Sequence, residues 1–356
     1  MIKVLVVDDS PVTRELLVHI LNEDPGIRVV GTASNGEEAV EAVQRMRPDV
    51  ITMDVHMPKL DGLEATRQIM ETHPTPIVIV SGSTNPHDVA MTFRATEAGA
   101  LTSLPLPTDP LTARELVQTV KLMSEIKVVR RWVRVQRNEK EPEPHKAKAE
   151  FAQHTPAEVR VVALGASTGG PIILKTILEG LPGNFPAPVL IVQHMSAGFS
   201  QGLIEWLSQS SALPIRLAAH GEPILPSHVY VAPDAFQMQV KNGGRITLMR
   251  DAQENGMCPS VSYLFRSVAE VYGRHAVAGL LTGMGRDGAS ELKLLREKGA
   301  VTFAQNKESS IVHGMPGEAI RLDAAMFVLA PQEIAPLLSK LANGKKINEG
   351  KLHEKQ

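Results

Sequence analysis

The chain has 356 residues, of which 43% are hydrophobic, and this composition excludes a disordered chain. Because a domain usually has about 100–200 residues, the length predicts two domains. The 37 Lys and Arg residues nearly balance the 39 Asp and Glu residues, so a broadly basic nucleic-acid binder is excluded. A single cysteine, Cys258, excludes an intramolecular disulfide and a cysteine-based zinc cluster.

Apolar runs stay shorter than the roughly 18–20 residues of a membrane span. The first residues, MIKVLVVDDS, lack the long apolar region and the cleavage site of a secretory signal. The sequence therefore predicts a soluble, cytoplasmic protein that does not insert directly into a membrane and has no nucleic-acid partner.

The first part of the chain alternates strand and helix patterns. Helices are predicted at 12–21 and 36–46, among others. Continuous Val and Ile runs separated by helices predict a parallel sheet covered on both faces. Its predicted strands are 4–7, 29–32, 50–53, 77–80 and 101–104.

A second α/β pattern begins at Val159, after a basic stretch that the prolines of EPEP interrupt. Strands 237–240 and 245–249 flank Asn242-Gly243-Gly244, which predicts a β-hairpin. The other predicted strands are 161–164, 189–193, 215–218, 229–232, 276–281 and 301–304. We predict four segments in all: a domain at 1–124, a linker at 125–155, a domain at 156–345 and a polar tail at 346–356.

Acidic residues end two strands of the first domain. Asp8 and Asp9 follow the strand 4–7, and Asp54 follows the strand 50–53. Ligands of open parallel sheets gather at the carboxyl ends of the strands. Because three carboxylates there would repel one another, they predict a Mg²⁺ site, beside which a carboxylate can attack a phosphoryl group.

These segments resemble a two-component receiver domain, on the motifs VLVVDDSPVTRELL, DVITMDVHMPKLDGLEA and PIVIVSG. The resemblance covers residues 1–124 and implies a flavodoxin-like fold with a five-stranded parallel sheet. It also implies the site residues: Asp54 as phosphoacceptor, Asp8, Asp9, Asp54 and the carbonyl of His56 around Mg²⁺, and Ser81 as the switch hydroxyl. In one position the sequence departs from the family, because Leu106 stands where receivers usually have a lysine that pairs with the phosphoryl group. We therefore expect a weakened phosphorylation switch.

A glycine-rich turn, GASTGG, lies between the strand 161–164 and a helix predicted at 172–178. Its pattern, G-x-S-x-G around Ser167, fits a nucleophile elbow, a phosphate or dinucleotide cradle, or a structural turn. His194 and Asp287 follow two other strands and favour the first interpretation, since a histidine can take the serine proton and an acid can orient the imidazole. The order Ser, His, Asp along the chain differs from that of α/β-hydrolases.

The second domain resembles the catalytic domain of the chemotaxis methylesterase CheB, on LGASTGGP, VQHMSAGFSQGL, VYVAPD, PSVSYLFRSVA and LTGMGRDGA. The resemblance implies a doubly wound, mostly parallel α/β fold. It implies Ser167 as nucleophile, His194 as general base and acid, and Asp287 as the acid that orients it. Thr168 and the backbone of Met284 would line the substrate and oxyanion site.

The combined resemblance implies a phosphorylation-controlled protein-glutamate methylesterase that also deamidates specific glutamines. Its substrates would be methyl-accepting chemotaxis receptors, at whose arrays it would be recruited, and its phosphodonor a CheA-type histidine kinase. No cofactor is expected for the esterase chemistry. Two alternatives stay open: a response regulator whose second domain only binds a partner, and a nucleotide-binding protein that uses GASTGG. An ester-hydrolysis assay and a nucleotide titration would separate them.

Overall fold

A computed structural model of the chain describes residues 1–83, 85–128, 158–250, 253–254 and 256–344. The chain divides into two compact units, Met1–Lys140 and Glu141–Gln356. Most of the predicted linker and all of the predicted polar tail lie outside the described residues, so the domain boundaries stay predictions.

The described part of the first unit is a five-stranded parallel sheet with five helices between and after its strands. Its strand order is β2-β1-β3-β4-β5, the order of flavodoxin-like folds, so the predicted fold is confirmed. The elements are β1 Ile2–Val7, α1 Pro11–Asn22, β2 Ile27–Ala33, α2 Gly36–Met46, β3 Val50–Met53, α3 Gly62–Thr72, β4 Ile77–Ser81, α4 Pro86–Ala98, β5 Thr102–Pro105 and α5 Pro110–Ser124.

Local sequence explains where these helices begin. The Ser10 side chain accepts a hydrogen bond from the Thr13 amide at the start of α1, and Asn35 accepts one from the Glu38 amide at the start of α2. Both caps follow strand ends closely, so each strand turns into its helix at the carboxyl edge of the sheet. The acids that follow β1 and β3 therefore lie at one edge.

The described part of the second unit has a seven-stranded parallel sheet, a two-stranded hairpin and six α-helices. The strand order of the large sheet is β14-β13-β12-β6-β7-β9-β8, and the hairpin pairs β10 with β11. Both the mostly parallel sheet and the hairpin are confirmed. The elements are β6 Val161–Ala166, α6 Gly170–Glu179, β7 Val189–Gln193, α7 Ser200–Ser208, β8 Ile215–Leu217, β9 Val229–Val231, β10 Gln237–Lys241, β11 Arg245–Met249, α8 Val261–Val271, β12 Ala276–Leu280, α9 Ala289–Glu297, β13 Val301–Gln305, α10 Met315–Arg321, β14 Phe327–Leu329 and α11 Pro331–Ala342.

Three neighbouring strands at the centre of this sheet are buried along their whole length, namely β12, β6 and β7. Alternate Val, Leu and Ala side chains of these strands pack with α8 and α9 in one hydrophobic cluster, and the side chains between them are buried as well, as is typical of parallel sheets. Ser167 follows the end of β6, His194 follows β7 directly, and the segment that contains Asp287 follows β12. The rigid centre of the sheet therefore supports all three residues.

Candidate active site

Ser167 lies in the tight turn between β6 and α6. Its amide donates a hydrogen bond to the carbonyl oxygen of Thr282 at 3.0 Å, and its own carbonyl oxygen accepts one from the Gly170 amide at 2.8 Å. Gly169 has a φ of 77°, a left-handed conformation that glycine adopts without steric strain. The turn thus fixes the Ser167 backbone on both sides and leaves the residue partly exposed.

His194 and Asp287 form a buried pair. The Nε2 atom of His194 lies 2.9 Å from Oδ2 of Asp287, and the two side chains are only 7% and 4% exposed. The other ring nitrogen, Nδ1, is also buried and has no hydrogen-bond partner among the described residues. With Nε2–H donated to the acid, Nδ1 is the atom free to accept a proton.

The Asp287 carboxylate accepts further hydrogen bonds at the start of α8. Oδ1 accepts from Ser260 Oγ at 2.9 Å and from the Ser262 amide at 3.2 Å, while Oδ2 accepts from the Val261 amide at 2.6 Å. Burial acts to raise the pKa of Asp287. Hydrogen bonds from His194, Ser262 and Ser260 outweigh burial and hold that pKa well below its usual range. The acid therefore stays ionised and fixed in orientation.

The sheet register brings Ser167 next to His194. Ala166 pairs with Gln193 as the last register pair of β6 and β7, and the His194 amide donates to the Ala166 carbonyl oxygen at 2.8 Å. Ser167 and His194 are the next residues on two adjacent strands, whose spacing is about 4.8 Å. The structure thus brings together the serine, histidine and acid expected from the sequence.

The segment 282–285 packs against the Ser167 turn. A methyl group added to Gly283 would lie 2.6 Å from Ser167 Cβ and 3.1 Å from its amide nitrogen. The hydroxyl of Thr282 donates to the Thr168 carbonyl oxygen at 3.0 Å. Met284 follows Gly283 directly and is 54% exposed. Of the two predicted lining residues, Thr168 therefore lies within the turn and Met284 lies beside it.

Sequence reasoning missed several polar side chains that support this site. They are buried and hydrogen-bonded to the backbone or side chains of the candidate residues: Gln193, Ser260 and Thr282. One signal was available, because Gln193 is the single polar residue of VLIVQ, a strand that is otherwise entirely apolar.

At the edge of the first sheet, Asp8, Asp9 and Asp54 each place a carboxylate oxygen within 4.8 Å of the others. Burial and the nearby charge of Asp8 raise the pKa of Asp54 to about 6. Burial also raises the pKa of Asp8. Arg14 acts to lower the pKa of Asp8 and His56 acts to lower that of Asp54, but burial outweighs both.

The surroundings of Asp54 include the other predicted residues of the pocket. Ser81 is buried at the end of β4, and its carbonyl oxygen accepts a hydrogen bond from the Leu106 amide at 2.8 Å. Leu106 therefore lies beside Ser81 and offers no charge there. The His56 side chain is half exposed, with Nε2 at 3.8 Å from Oδ1 of Asp88.

Comparison with known proteins agrees with this geometry. The family model of the response regulator receiver domain matches residues 4–121, and that of CheB methylesterase matches residues 162–338. A protein-glutamate methylesterase/protein-glutamine glutaminase of Nitrosospira multiformis is 59% identical over 96% of this chain and 97% of the relative. The chain belongs to the protein-glutamate methylesterase/protein-glutamine glutaminase family.

A second member of this methylesterase family, from Syntrophus aciditrophicus, is 55% identical over 96% of this chain and 99% of its own length. The crystal structure of the CheB methylesterase catalytic domain of Thermotoga maritima is 36% identical, with a TM-score of 0.50. It matches 52% of this chain and 100% of that domain. Two relatives thus match this chain almost from end to end, and the solved domain matches about half of it.

The acid pocket of this methylesterase family member has donors that suit Mg²⁺. Carboxylate and carbonyl oxygens are the ligands that this ion prefers, and Asp8, Asp9 and Asp54 bring three carboxylate oxygens within 4.8 Å of one another. Among the helices of the described residues, none is both long and apolar enough to cross a membrane.

Proposed function

We propose that the chain is a phosphorylation-controlled protein-glutamate methylesterase. It hydrolyses glutamate γ-methyl esters on methyl-accepting chemotaxis receptors and deamidates specific receptor glutamines. Two relatives that share 59% and 55% of their residues with this chain carry the name of both activities. The observation that carries the proposal is the buried 2.9 Å pair of His194 and Asp287 beside the Ser167 turn.

In the proposed acylation step, Ser167 Oγ attacks the ester carbonyl carbon while its proton passes to Nδ1 of His194. The negative charge of Asp287 stabilises the imidazolium that forms. The tetrahedral intermediate then breaks its C–O bond to the methoxy group, which leaves as methanol with the proton from Nδ1. A glutamine amide follows the same path and releases ammonia.

Water completes the reaction in the proposed deacylation step. His194 Nδ1 removes a proton from water, whose oxygen attacks the acyl-serine carbonyl carbon. Collapse of the second intermediate breaks the bond to Ser167 Oγ, and Nδ1 returns the proton to that oxygen. The products are the free enzyme and the glutamate side-chain acid, which releases its proton to water and becomes the carboxylate.

Both tetrahedral intermediates carry an oxyanion, which the start of α6 is placed to stabilise. The backbone N–H groups at a helix N-terminus carry partial positive charge. We assign this role to backbone N–H groups around Thr168 and to the backbone of Met284, which follows Gly283 against the Ser167 turn.

Control is proposed to reside in the receiver, with Asp54 as phosphoacceptor and a CheA-type histidine kinase as phosphodonor. Asp8, Asp9, Asp54 and the carbonyl oxygen of His56 would hold Mg²⁺. When bound, this ion offsets the negative charge of the carboxylates and of the phosphoryl group. The hydroxyl of Ser81 would donate a hydrogen bond to the phosphoryl oxygens.

The test is methanol release from methylated receptor membranes, with and without a small-molecule phosphodonor. We expect release from the wild type, and a loss of several orders of magnitude in Ser167→Ala, because only binding and oxyanion stabilisation remain. Near-normal turnover in Ser167→Ala would remove the serine from its role. An inactive wild type that binds receptors would favour the non-catalytic regulator, and one that binds nucleotides would favour the nucleotide-binding alternative.

A further inference from the structure

The Gln193 side chain connects the backbones of the two reacting residues. Its Nε2 atom donates one hydrogen bond to the Ser167 carbonyl oxygen and one to the His194 carbonyl oxygen, each at 2.8 Å. An amide nitrogen has two N–H groups, so both are used. Because both neighbours are acceptors, only the NH₂ end of the side chain fits at this position.

This contact replaces a backbone hydrogen bond that β6 and β7 do not form. The last backbone bond between β6 and β7 runs from the His194 amide to the Ala166 carbonyl oxygen. Continuing the parallel ladder would pair the Thr168 amide with the His194 carbonyl oxygen. The chain instead turns towards α6 after Ser167, and the His194 carbonyl oxygen accepts from Gln193.

The neighbouring glycine makes room for this side chain. A methyl group added to Gly170 would lie 2.1 Å from Oε1 of Gln193, too close for any ordinary contact. Gln193 is 5% exposed, and its Oε1 atom has no hydrogen-bond partner among the described residues. The two carbonyl acceptors therefore determine the orientation of this amide, and its oxygen is directed towards Gly170.

We infer that Gln193 is a positioning residue that fixes the distance between the nucleophile Ser167 and the base His194. The Asp287 carboxylate holds the far side of the imidazole, and Gln193 holds the backbone from which the imidazole extends. A displacement of about 1 Å in such a pair can lower a rate about 100-fold. This inference rests on the proposed function, since it concerns the same reaction.

The decisive variant is Gln193→Met, which keeps the length and approximate volume of the side chain but removes both donors. We expect kcat for methanol release to fall about 10- to 100-fold while KM for the receptor stays within about twofold, because Gln193 is buried and the exposed surface of the domain is unchanged. Gln193→Glu keeps the shape but faces the two carbonyl oxygens with a carboxylate. It should lower kcat at least as much at pH 8.

Gln239→Met is the matched control, since Gln239 is a glutamine on the hairpin whose Oε1 also lacks a partner among the described residues. Thermal unfolding of all variants separates misplacement from loss of fold. A kcat of Gln193→Met within twofold of the wild type would overturn the inference. So would a loss that Gln239→Met reproduces at equal change in melting temperature. Wild-type turnover in the same assay keeps either outcome distinct from failure of the proposed function.

Discussion

His194 faces Asp287 through Nε2, at 2.9 Å from Oδ2, and keeps Nδ1 buried and without a partner among the described residues. The acid thereby selects the tautomer in which Nδ1 carries the lone pair. Ser167, which follows the end of the adjacent strand, is the proposed nucleophile whose proton this lone pair can accept.

Replacing Asp287 by asparagine should change the tautomer of the His194 imidazole while leaving the ring in place. In Asp287→Asn, the amide can present N–H groups to Nε2 and so favour the tautomer with the proton on Nδ1. We expect the rate of methanol release to fall about 10⁴-fold, which is the effect of the same Asp-to-Asn change in a Ser-His-Asp triad. Because three further donors meet this carboxylate, circular dichroism should first establish that the variant is folded. An unchanged rate would leave Asp287 with a structural role only.

The close approach of Gly283 to Ser167, the proposed nucleophile, gives a steric prediction. In Gly283→Ala, the new methyl group meets Ser167 Cβ at 2.6 Å, so the turn must shift. We expect about a 100-fold loss of methanol release with receptor binding retained. Gly183→Ala is the control, because a methyl group there meets nothing closer than 3.3 Å. Equal activity of the two variants would contradict the packing described here.

The acid pocket gives a pH-dependent prediction for the receiver. The pKa of Asp54 is raised from 3.8 to about 6, so the folded state holds this proton more tightly than the unfolded state. Stability from this group is therefore present below about pH 4 and is lost as the pH rises through 6. The loss is on the order of 3 kcal/mol if the whole shift is expressed.

Asp54→Asn should accordingly be more stable than the wild type at pH 8 in EDTA, and nearly equal to it at pH 4. Hydrogen exchange of peptides from residues 1–124 measures this difference. Added Mg²⁺ should slow exchange in the wild type and have little effect on Asp54→Asn. Glu71→Gln, which removes an exposed acid of α3, controls for general loss of negative charge. A wild type that is more stable than Asp54→Asn at pH 8 in EDTA would refute the prediction.

The leucine beside the switch serine should limit control by phosphorylation. Leu106 is hydrogen-bonded through its amide to the Ser81 carbonyl oxygen, so a lysine at 106 would extend a cation from this edge of the sheet. We expect Leu106→Lys to increase the ratio of phosphodonor-stimulated to basal methanol release, whereas Leu106→Met should not. If the wild type is already strongly stimulated and Leu106→Lys changes nothing, the switch is not weakened.

Strong apolar runs predicted most strands, and their ends are displaced by only one or two residues. The helix predicted at 36–46 coincides with α2. Its first turn is capped by the side chain of Asn35. The strand Phe327–Leu329 was missed although it lies in the apolar run AAMFVLA; it has only three residues, is partly exposed and forms an edge of the sheet. Strand order could not be read from pattern, because parallel strands pair with distant parts of the chain.

For the site, the G-x-S-x-G turn together with the placement of His194 and Asp287 after strands led to the candidate residues Ser167, His194 and Asp287. The hydrogen bonds that hold them were not predictable, since Ser260 meets Asp287 and Thr282 meets Thr168 across wide separations in sequence. A polar residue in an apolar strand indicates that its side chain has hydrogen-bond partners, but only the fold determines which partners those are.

The hairpin of β10 and β11 carries a consequence for how this domain can vary. Buried Gln237, at the start of β10, accepts a hydrogen bond from the Ser260 amide through Oε1 and donates one to the Met257 carbonyl oxygen. The Ser260 hydroxyl in turn donates a hydrogen bond to Asp287, so the hairpin helps to hold the Asp287 carboxylate in place. Slipping β10 by one residue would turn Gln237 to the opposite face of the hairpin and remove both of these hydrogen bonds.

The turn at Gly243 is different, because a methyl group added there would meet no atom within 4 Å. We therefore expect this turn to accept inserted residues, such as a peptide tag.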